Sequence, residues 1–368
     1  MNKLCIFSAG MGTRNNNVDG LHKALLPIEN KPTISHIIEK FDKSVEIVIA
    51  VGYKSEQIKS YVDEVHSDRN ITYVDVDNYD GEGSGPGYSL LCCKSHLQEP
   101  FIFTSVDTII GDDIDLMSVN ENWMGVSTVN LEESINYCLV DGSKYLNKLY
   151  YGTGDTAFIG MAGIYDYEDY FKSLEEHKII KDEYQVTHGF SGMGHIKLLE
   201  LKWYDTGNNK SYEEVRKDFP NEVVANKSDE VLFIDNGKVV KYFNNKDIVD
   251  LRVKRTKYLN GNCPKVTQLN DNMYSYDYIN GQLLSNITDE SIITQFLDHC
   301  QTNLFVKQDI DTNILIKDCV KMYEEKTLSR ISKLSQDSLD KIIRINGIEV
   351  EPIDIMLGKI DWNRFYDN

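Results

Sequence analysis

Short apolar runs alternate with amphipathic segments along the first part of the chain. Residues 4–7, 45–52 and 71–74 are apolar runs of strand length, as expected for strands that are buried on both faces. Residues 32–41 and 54–65 place apolar side chains at helical spacing. Strands that alternate with helices predict an α/β fold with a doubly wound, mostly parallel sheet, whose ligands lie beyond the carboxyl ends of the strands.

The pattern changes after residue 220. Residues 231–243 consist of two β-rich runs joined at Asn236-Gly237, which predicts a hairpin. A helical pattern follows, then a further strand over residues 273–281, and residues 291–335 are predicted to be helical. This part of the chain therefore has an α+β pattern of its own.

Length and composition indicate a globular protein with two domains. A chain of 368 residues is too long for one ordinary core, and we place the domains at residues 1–222 and 223–368. The apolar runs are too short to span a membrane, no secretory signal is visible, and the seven scattered cysteines suit a reducing, cytoplasmic location. A net charge of −19 argues against nucleic acid or an anionic membrane as a partner.

The first strand runs directly into a glycine-containing turn that suits phosphate binding. Glycine has no Cβ, so backbone N–H groups in such a turn can approach phosphate oxygens closely. Arg14 and Lys23 would add positive charge to the same triphosphate. The pattern is neither a Walker A loop nor a complete dinucleotide fingerprint, and an ordinary tight turn is the alternative. The residues predicted to bind the nucleotide here are Ser8, Ala9, Gly10, Met11, Gly12 and Thr13.

This turn, together with the segment His22-Lys23-Ala24-Leu25-Leu26-Pro27-Ile28, resembles the signature of the nucleotidyltransferases that activate sugar 1-phosphates and phosphocholine. The resemblance extends to about residue 220 and implies a Rossmann-like fold with catalytic roles for Arg14 and Lys23. His22 departs from the family pattern, because a proline often precedes the lysine, and the loop between Arg14 and Lys23 is short. We expect these departures to affect the choice of substrate and not the class of reaction.

A second glycine-rich loop, residues 80–87, precedes an apolar helical segment. A flexible loop is one interpretation. The family resemblance implies instead that Gly83, Ser84 and Gly85 contact the base through backbone groups at the start of a helix. Backbone contacts carry no side-chain code, so the identity of the base stays open.

Two aspartates follow apolar strands far apart in the sequence. Asp107 ends the run over residues 101–107, where it is either a helix cap or a metal ligand. The resemblance implies that Asp107 is the Mg²⁺ ligand and that Asp205 in Asp205-Thr206-Gly207 joins it on the same ion. Asp-Thr-Gly also occurs in aspartic proteases, but those have an all-β pattern and a second such carboxylate, which this sequence lacks.

The family resemblance implies that strands between residues 118 and 167 form the wall of the acceptor pocket. Tyr150, Tyr151 and Tyr165 are candidates to contact the acceptor, although aromatic residues in strands more often pack in a core. None of the three is singled out.

The order of elements after residue 223 resembles the N-lobe of choline kinase and aminoglycoside phosphotransferase-like kinases. In that family Lys241 would pair with ATP phosphates, and an exposed strand lysine is an equal alternative. The catalytic loop of such a kinase is not found before residue 368, so we expect an incomplete kinase-like domain that transfers no phosphate.

The resemblance implies that the enzyme joins an NTP and a sugar 1-phosphate, with Mg²⁺, to give an NDP-sugar and pyrophosphate, for surface polysaccharide precursors. The alternative acceptor is phosphocholine or another phosphorylated amino compound, with CTP. A catalytically silent nucleotide-binding scaffold is the alternative of another class. The expected partners are therefore the NTP and a phosphorylated small molecule, and oligomerisation is left open.

Overall fold

A computed structural model describes residues 1–14, 18–176, 183–219, 227–259, 261–305, 309, 311–335, 339, 344–345 and 347–365. These residues form two compact units, Met1–Ile287 and Thr288–Asn368. Each unit is described by itself below.

The first unit contains both α-helices and β-strands. Its strands are β1 (Lys3–Ser8), β2 (Pro27–Ile28), β3 (Lys31–Pro32), β4 (Glu46–Val51), β5 (Ile71–Asp75), β6 (Phe101–Ser105), β7 (Thr108–Ile110), β8 (Trp123–Thr128), β9 (Leu139–Gly142), β10 (Leu146–Tyr150), β11 (Thr156–Ile164), β12 (Lys197–Glu200), β13 (Trp203–Asp205), β14 (Glu230–Asp235), β15 (Lys238–Phe243), β16 (Thr267–Asn270) and β17 (Met273–Asp277). Its α-helices are α1 (Thr33–Glu39), α2 (Ser55–Val65), α3 (Pro86–Cys93), α4 (Tyr167–Glu176), α5 (Asn209–Asp218) and α6 (Lys246–Thr256).

The main sheet has the strand order β10-β9-β11-β6-β1-β4-β5, and β8 pairs with β11 and β12. Strands β6, β1, β4 and β5 are parallel to one another, whereas β11 runs antiparallel to β6. The predicted α/β fold is therefore confirmed, with a parallel centre that antiparallel strands extend on one side.

The two faces of β1 explain why its sequence is apolar without alternation. Leu4 and Ile6 point into a core that includes residues of α1 and α2, and Cys5 and Phe7 point into a second core with residues of α3 and α4. Both faces of the central strands are covered, as the doubly wound prediction requires. The turn that follows β1 lies beyond these two cores, at the carboxyl edge of the sheet.

The predicted strand over residues 101–107 is interrupted. β6 ends at Ser105, Asp107 lies in the turn that follows, and β7 begins at Thr108. β7 then pairs antiparallel with β13, with Asp205 opposite Thr108. This small sheet brings the two predicted metal ligands to one place, although 98 positions of sequence separate them.

The predicted hairpin is confirmed in a four-stranded antiparallel sheet of order β14-β15-β17-β16, called the second sheet below. Its turn residues Asn236 and Gly237 have φ values of 43° and 72°, the left-handed conformation of a type I′ turn. Phe233 and Tyr242 of this sheet belong to the same core as Tyr61 of α2. The second sheet thus packs within the first unit, and the domain boundary at residue 222 stays a prediction based on sequence pattern.

The second unit is largely helical over residues 290–331, as predicted. Its elements are α7 (Glu290–His299), α8 (Thr312–Cys319), α9 (Lys326–Ile331), β18 (Arg344–Ile345), β19 (Ile348–Glu349) and α10 (Ile353–Gly358). Across the described ranges of both units, no helix has the length and apolar character needed to cross a membrane.

Candidate active site

Two adjoining cavities open at the carboxyl edge of the main sheet, where the α/β pattern places ligands. The turn cavity, about 520 Å³, is lined by the glycine turn and the loop before α3, and its residues include Ala9, Gly10, Met11, Gly12, Thr13, Lys23, Ser84 and Gly85. The carboxylate cavity, about 380 Å³, is lined by residues that include Glu133, Tyr137, Trp203, Asp205 and Lys210. Arg14 and Asp107 line both cavities.

The structure thus brings together most of the predicted site residues. The exceptions are Ser8 and Gly83, which do not line either cavity. Ser8 is the last residue of β1 and is fully buried, so its side chain is not accessible to a ligand. Its hydroxyl is buried without a hydrogen-bond partner among the described residues.

His22 holds the glycine turn against the segment that carries Lys23. Its Nδ1 accepts a hydrogen bond from the Ala24 amide at 3.1 Å, so Nε2 carries the proton and donates to the Gly10 carbonyl at 3.2 Å. Burial and the neighbouring Lys23 charge lower the pKa of His22 to about 3. A neutral imidazole is therefore a fixed part of the site, which gives a structural role to the residue that departs from the family pattern.

The pKa of His22 predicts an acid-sensitive stability. In the unfolded chain His22 takes up a proton near pH 6.5, whereas in the folded chain it stays neutral until the pH approaches 3. The contribution of neutral His22 to stability is therefore fully present above pH 6.5 and is lost as the pH falls toward 3. Between pH 7 and pH 5 the loss is about 2 kcal/mol. In urea unfolding at both pH values, His22→Gln is expected to show a loss smaller by that amount. An unchanged loss would contradict the prediction.

Gly12 provides the space for the Lys23 side chain. Its φ is +66°, and a Cβ at this position would lie 2.9 Å from Lys23 Cδ. The aliphatic part of Lys23 therefore packs directly on the glycine turn, which sets the direction of its ammonium group.

Lys23 and Asp107 form an ion pair in the wall of the turn cavity. Lys23 Nζ lies 2.9 Å from Asp107 Oδ2, and both side chains are largely buried. Burial by itself would raise the pKa of Asp107, but the charges of Lys23 and Arg14 lower it below the ordinary value. Asp107 is therefore ionised at neutral pH and available to a cation.

Asp205 faces Asp107 across a glycine. The Thr206 amide donates to the Asp107 carbonyl at 3.0 Å, and the Gly207 amide donates to Asp205 Oδ1 at 2.8 Å. A Cβ on Gly207 would lie 3.0 Å from Asp205 Oδ1 and 3.3 Å from Asp107 Oδ2, so both carboxylates face one small space. Burial, and then the negative charge of Asp107, raise the pKa of Asp205.

This pair of carboxylates suits a magnesium ion that is shared with a substrate. Among the described residues, no three His, Cys, Asp or Glu side chains lie together in a way that could hold a metal ion. These residues therefore form no metal site made of protein ligands alone. Mg²⁺ is commonly held by one or two carboxylates plus substrate phosphates. Asp107 and Asp205 supply that smaller donor set, and a divalent cation between them would remove the repulsion that raises the pKa of Asp205.

The second glycine-rich loop is held by the segment around Tyr184. The Gly87 amide donates to the Tyr184 carbonyl and the Tyr184 amide donates to the Ser84 carbonyl, both at 2.7 Å. Gly85 has a φ of +127°, and a Cβ there would lie 2.7 Å from the Tyr184 carbonyl oxygen. Gly85 is therefore required both by its backbone conformation and by close packing.

Gly85→Ala is expected to lower the free energy of unfolding by about 3 kcal/mol, because it adds a steric clash to a backbone conformation that strongly favours glycine. The matched control is Gly81→Ala, at φ +88° with no atom within 4 Å of the added Cβ. The control should cost only about 1 kcal/mol. Chemical denaturation of both variants measures the difference, and equal losses would contradict the packing argument.

The carboxylate cavity is lined by further residues that were not predicted from the sequence to belong to the site. Tyr137 donates its hydroxyl to Asp205 Oδ2 at 3.0 Å and packs edge-on against Trp203 with ring centroids 5.3 Å apart. Lys210 forms an ion pair with Glu133 at the same cavity. Of the three tyrosines considered from the sequence, Tyr151 lines the turn cavity, and Tyr150 and Tyr165 line neither one.

Comparisons with known proteins agree with this geometry. Residues 4–120 match the MobA-like NTP transferase domain family, a range that contains the glycine turn and Asp107. The bifunctional protein GlmU of Methanococcus maripaludis is 27% identical over 259 residues, which cover 64% of this chain and 61% of that protein. This chain therefore spans about three fifths of the length of that curated relative.

Two solved structures share the fold. UDP-glucose pyrophosphorylase complexed with UDP-glucose has a TM-score of 0.51 at 22% identity, with 60% of this chain and 99% of that chain covered. CTP:phosphocholine cytidylyltransferase from Streptococcus pneumoniae has a TM-score of 0.52 at 18% identity, with 59% and 98% covered. These similarities show that this chain shares the Rossmann-like fold of known nucleotidyltransferases, which is the fold that the signature implied.

Proposed function

We propose that this protein is a nucleotidyltransferase that joins an NTP and a sugar 1-phosphate to give an NDP-sugar and pyrophosphate. The observation that carries the proposal is the convergence of Arg14, Lys23, Asp107 and Asp205 where two adjoining cavities meet. One cavity begins at a glycine turn suited to phosphates, and the other offers a separate space for an acceptor. A reaction between two bound substrates requires this arrangement.

The chemistry is a single in-line displacement. A phosphate oxygen of the acceptor attacks the α-phosphorus of the NTP, the bond from that phosphorus to the bridging oxygen breaks, and pyrophosphate leaves with the electron pair. Arg14 and Lys23 stabilise the negative charge that develops on the transferred and leaving phosphates. The backbone of the glycine turn, fixed by His22, positions the triphosphate.

Asp107 and Asp205 are the residues that would hold Mg²⁺. When bound, the ion would neutralise phosphate charge and orient the reacting groups. The protein's own contribution is to keep Asp107 ionised through Lys23 and Arg14. Because Lys23 contacts Asp107 directly, one lysine serves both the carboxylate and the triphosphate.

A phosphorylated amino compound is the second candidate acceptor, and the carboxylate cavity favours it in one respect. Tyr137 and Trp203 present aromatic rings beside the carboxylates of Asp205 and Glu133. Aromatic rings with nearby carboxylates bind quaternary ammonium groups well. CTP is the nucleotide proposed for that reaction.

A pyrophosphate-release assay tests the proposal and selects between the acceptors. The purified chain is incubated with Mg²⁺, each of four NTPs, and a panel of sugar 1-phosphates plus phosphocholine. Release with one NTP and one sugar 1-phosphate supports the leading proposal. Release with CTP and phosphocholine alone supports the second candidate. No release with any pair, although the NTP binds, contradicts both.

The remaining predictions from the sequence concern the biological role, residues 223–368 and the location of the protein. An NDP-sugar is a donor for glycosyl transfer, so polysaccharide precursor synthesis is the proposed role. The resemblance of residues 223–368 to an incomplete kinase-like domain stays a prediction, and so does a cytoplasmic location. Transfer of the γ-phosphate to choline or to a sugar by this chain would contradict the expected lack of kinase activity.

A further inference from the structure

The second sheet contacts the backbone of Asp19 and Gly20, which come shortly before Lys23 in the chain. Tyr242 of β15 donates its hydroxyl to the Asp19 carbonyl at 2.9 Å. The Asp19 amide in turn donates to the Ser228 carbonyl at 2.7 Å. Residues more than 200 positions away in sequence therefore hold the backbone at Asp19, four positions before Lys23.

Gly20 is enclosed from two sides. A Cβ on this residue, whose φ is +72°, would lie 2.3 Å from Asn244 Oδ1 and 2.7 Å from the Tyr242 hydroxyl oxygen. On the other side, the Gly20 carbonyl accepts hydrogen bonds from Lys54 Nζ at 2.7 Å and from Gln57 Nε2 at 3.0 Å. Gly20 therefore lies between the second sheet and the start of α2, with no room for a side chain.

Gln57 continues these contacts toward the cavities. Its Oε1 accepts a hydrogen bond from the His22 amide at 2.9 Å. The His22 ring contacts the Gly10 carbonyl, and Lys23 follows His22 directly in the chain. Tyr242, Gln57 and His22 are all buried, and hydrogen bonds at buried positions hold their groups in well-defined places.

We propose that the second sheet is a positioning element for the nucleotidyl transfer site, and that Tyr242 and Gln57 are positioning residues that act through His22 on Lys23. This inference rests on the proposed function for its kinetic consequences. The second sheet lies outside residues 4–120, the range that matches the family model, and the proposal gives it a role in the reaction at the turn and carboxylate cavities. The competing interpretation is that the contact contributes only to stability.

The kinetic test uses Tyr242→Phe, which removes one hydroxyl and keeps the ring. A small displacement of Lys23 reduces transition-state stabilisation more than ground-state binding, so kcat should fall about tenfold while KM for the NTP changes by less than about twofold. The matched control is Tyr61→Phe. Tyr61 donates to Asp235 at 3.0 Å and also joins the second sheet to α2, but its hydroxyl does not contact residues 18–23. The control should lose thermal stability and keep the wild-type kcat.

A double-mutant cycle shows whether Tyr242 acts through Lys23. If it does, Tyr242→Phe should have little further effect on kcat in a Lys23→Ala background. An equal fold-change in both backgrounds, or a wild-type kcat for Tyr242→Phe alone, would overturn the proposal. A kcat lowered equally by Tyr61→Phe would assign the effect to stability.

A measurement that needs no activity keeps this test separate from the proposed reaction. Amide hydrogen exchange at His22 and Ala24, both hydrogen-bonded donors in this network, should become about tenfold faster in Tyr242→Phe and should stay unchanged in Tyr61→Phe. Unchanged exchange in Tyr242→Phe would overturn the proposal even if the wild-type protein is inactive with every substrate pair. If exchange is faster in Tyr242→Phe but the wild-type protein is inactive with every substrate pair, the proposed function is refuted and the structural coupling of Tyr242 to His22 is retained.

Discussion

Lys23→Ala is expected to lower kcat by about 100-fold or more. Lys23 is the cation that the structure places in contact with Asp107, and it lines the cavity of the glycine turn. Removing one preorganised charge of this kind typically costs about 3–4 kcal/mol of transition-state stabilisation. The loss should appear in kcat more than in KM, because charge on the leaving pyrophosphate develops during the reaction. Steady-state pyrophosphate release measures both constants.

The matched control is Lys43→Ala. Lys43 also forms an ion pair with an aspartate, Asp68, but both side chains are well exposed and lie outside the two cavities. Ion pairs between exposed side chains contribute little to stability, so this variant should keep the wild-type kcat and nearly the wild-type stability. Near wild-type turnover in Lys23→Ala would remove this residue from the proposed mechanism.

Asp107→Asn is expected to lower kcat by a similar factor of about 100 or more. The substitution keeps the shape of the side chain and removes the charge that faces Asp205. The pKa of Asp205 should then fall toward its ordinary value, because the negative charge of Asp107 contributes to raising it. If both carboxylates bind Mg²⁺, the concentration of Mg²⁺ for half-maximal activity should also rise.

Asp75→Asn is the control for that experiment. Asp75 is the last residue of β5, so it lies at the same carboxyl edge of the sheet as the cavities, but it is exposed, pairs with Lys59 and lines neither cavity. Its loss should leave kcat and the Mg²⁺ dependence unchanged. Wild-type Mg²⁺ dependence in Asp107→Asn would argue that Asp107 only orients Lys23.

The sequence predicted those parts of the site that follow directly from strands. Asp107 and Asp205 each come after an apolar run, and the turn after β1 combines glycines with a cation, so local pattern made them candidates. The family resemblance, and not the pattern, implied that the two aspartates share a metal ion. The sheet centre was predictable for the same reason, because strands buried on both faces are apolar throughout.

Other features depend on contacts between distant residues that leave no local pattern. Tyr137 lies just before β9 in a loop without a motif, and only the fold brings its hydroxyl to Asp205. The contact between Tyr242 and Asp19 joins residues 223 positions apart. The strand end before Asp107 was placed two residues too late, because β7 continues the apolar pattern of β6 after a turn.

The most direct test of the account follows the α-phosphate. The chain is incubated with Mg²⁺, the acceptor panel and NTPs carrying a radioactive label on either the α- or the γ-phosphate. We predict that the α-label appears in a product that contains the acceptor, and that the γ-label appears only in pyrophosphate. Transfer of the γ-label to the acceptor, with the α-label left in an NDP, would contradict nucleotidyl transfer as the reaction of this site.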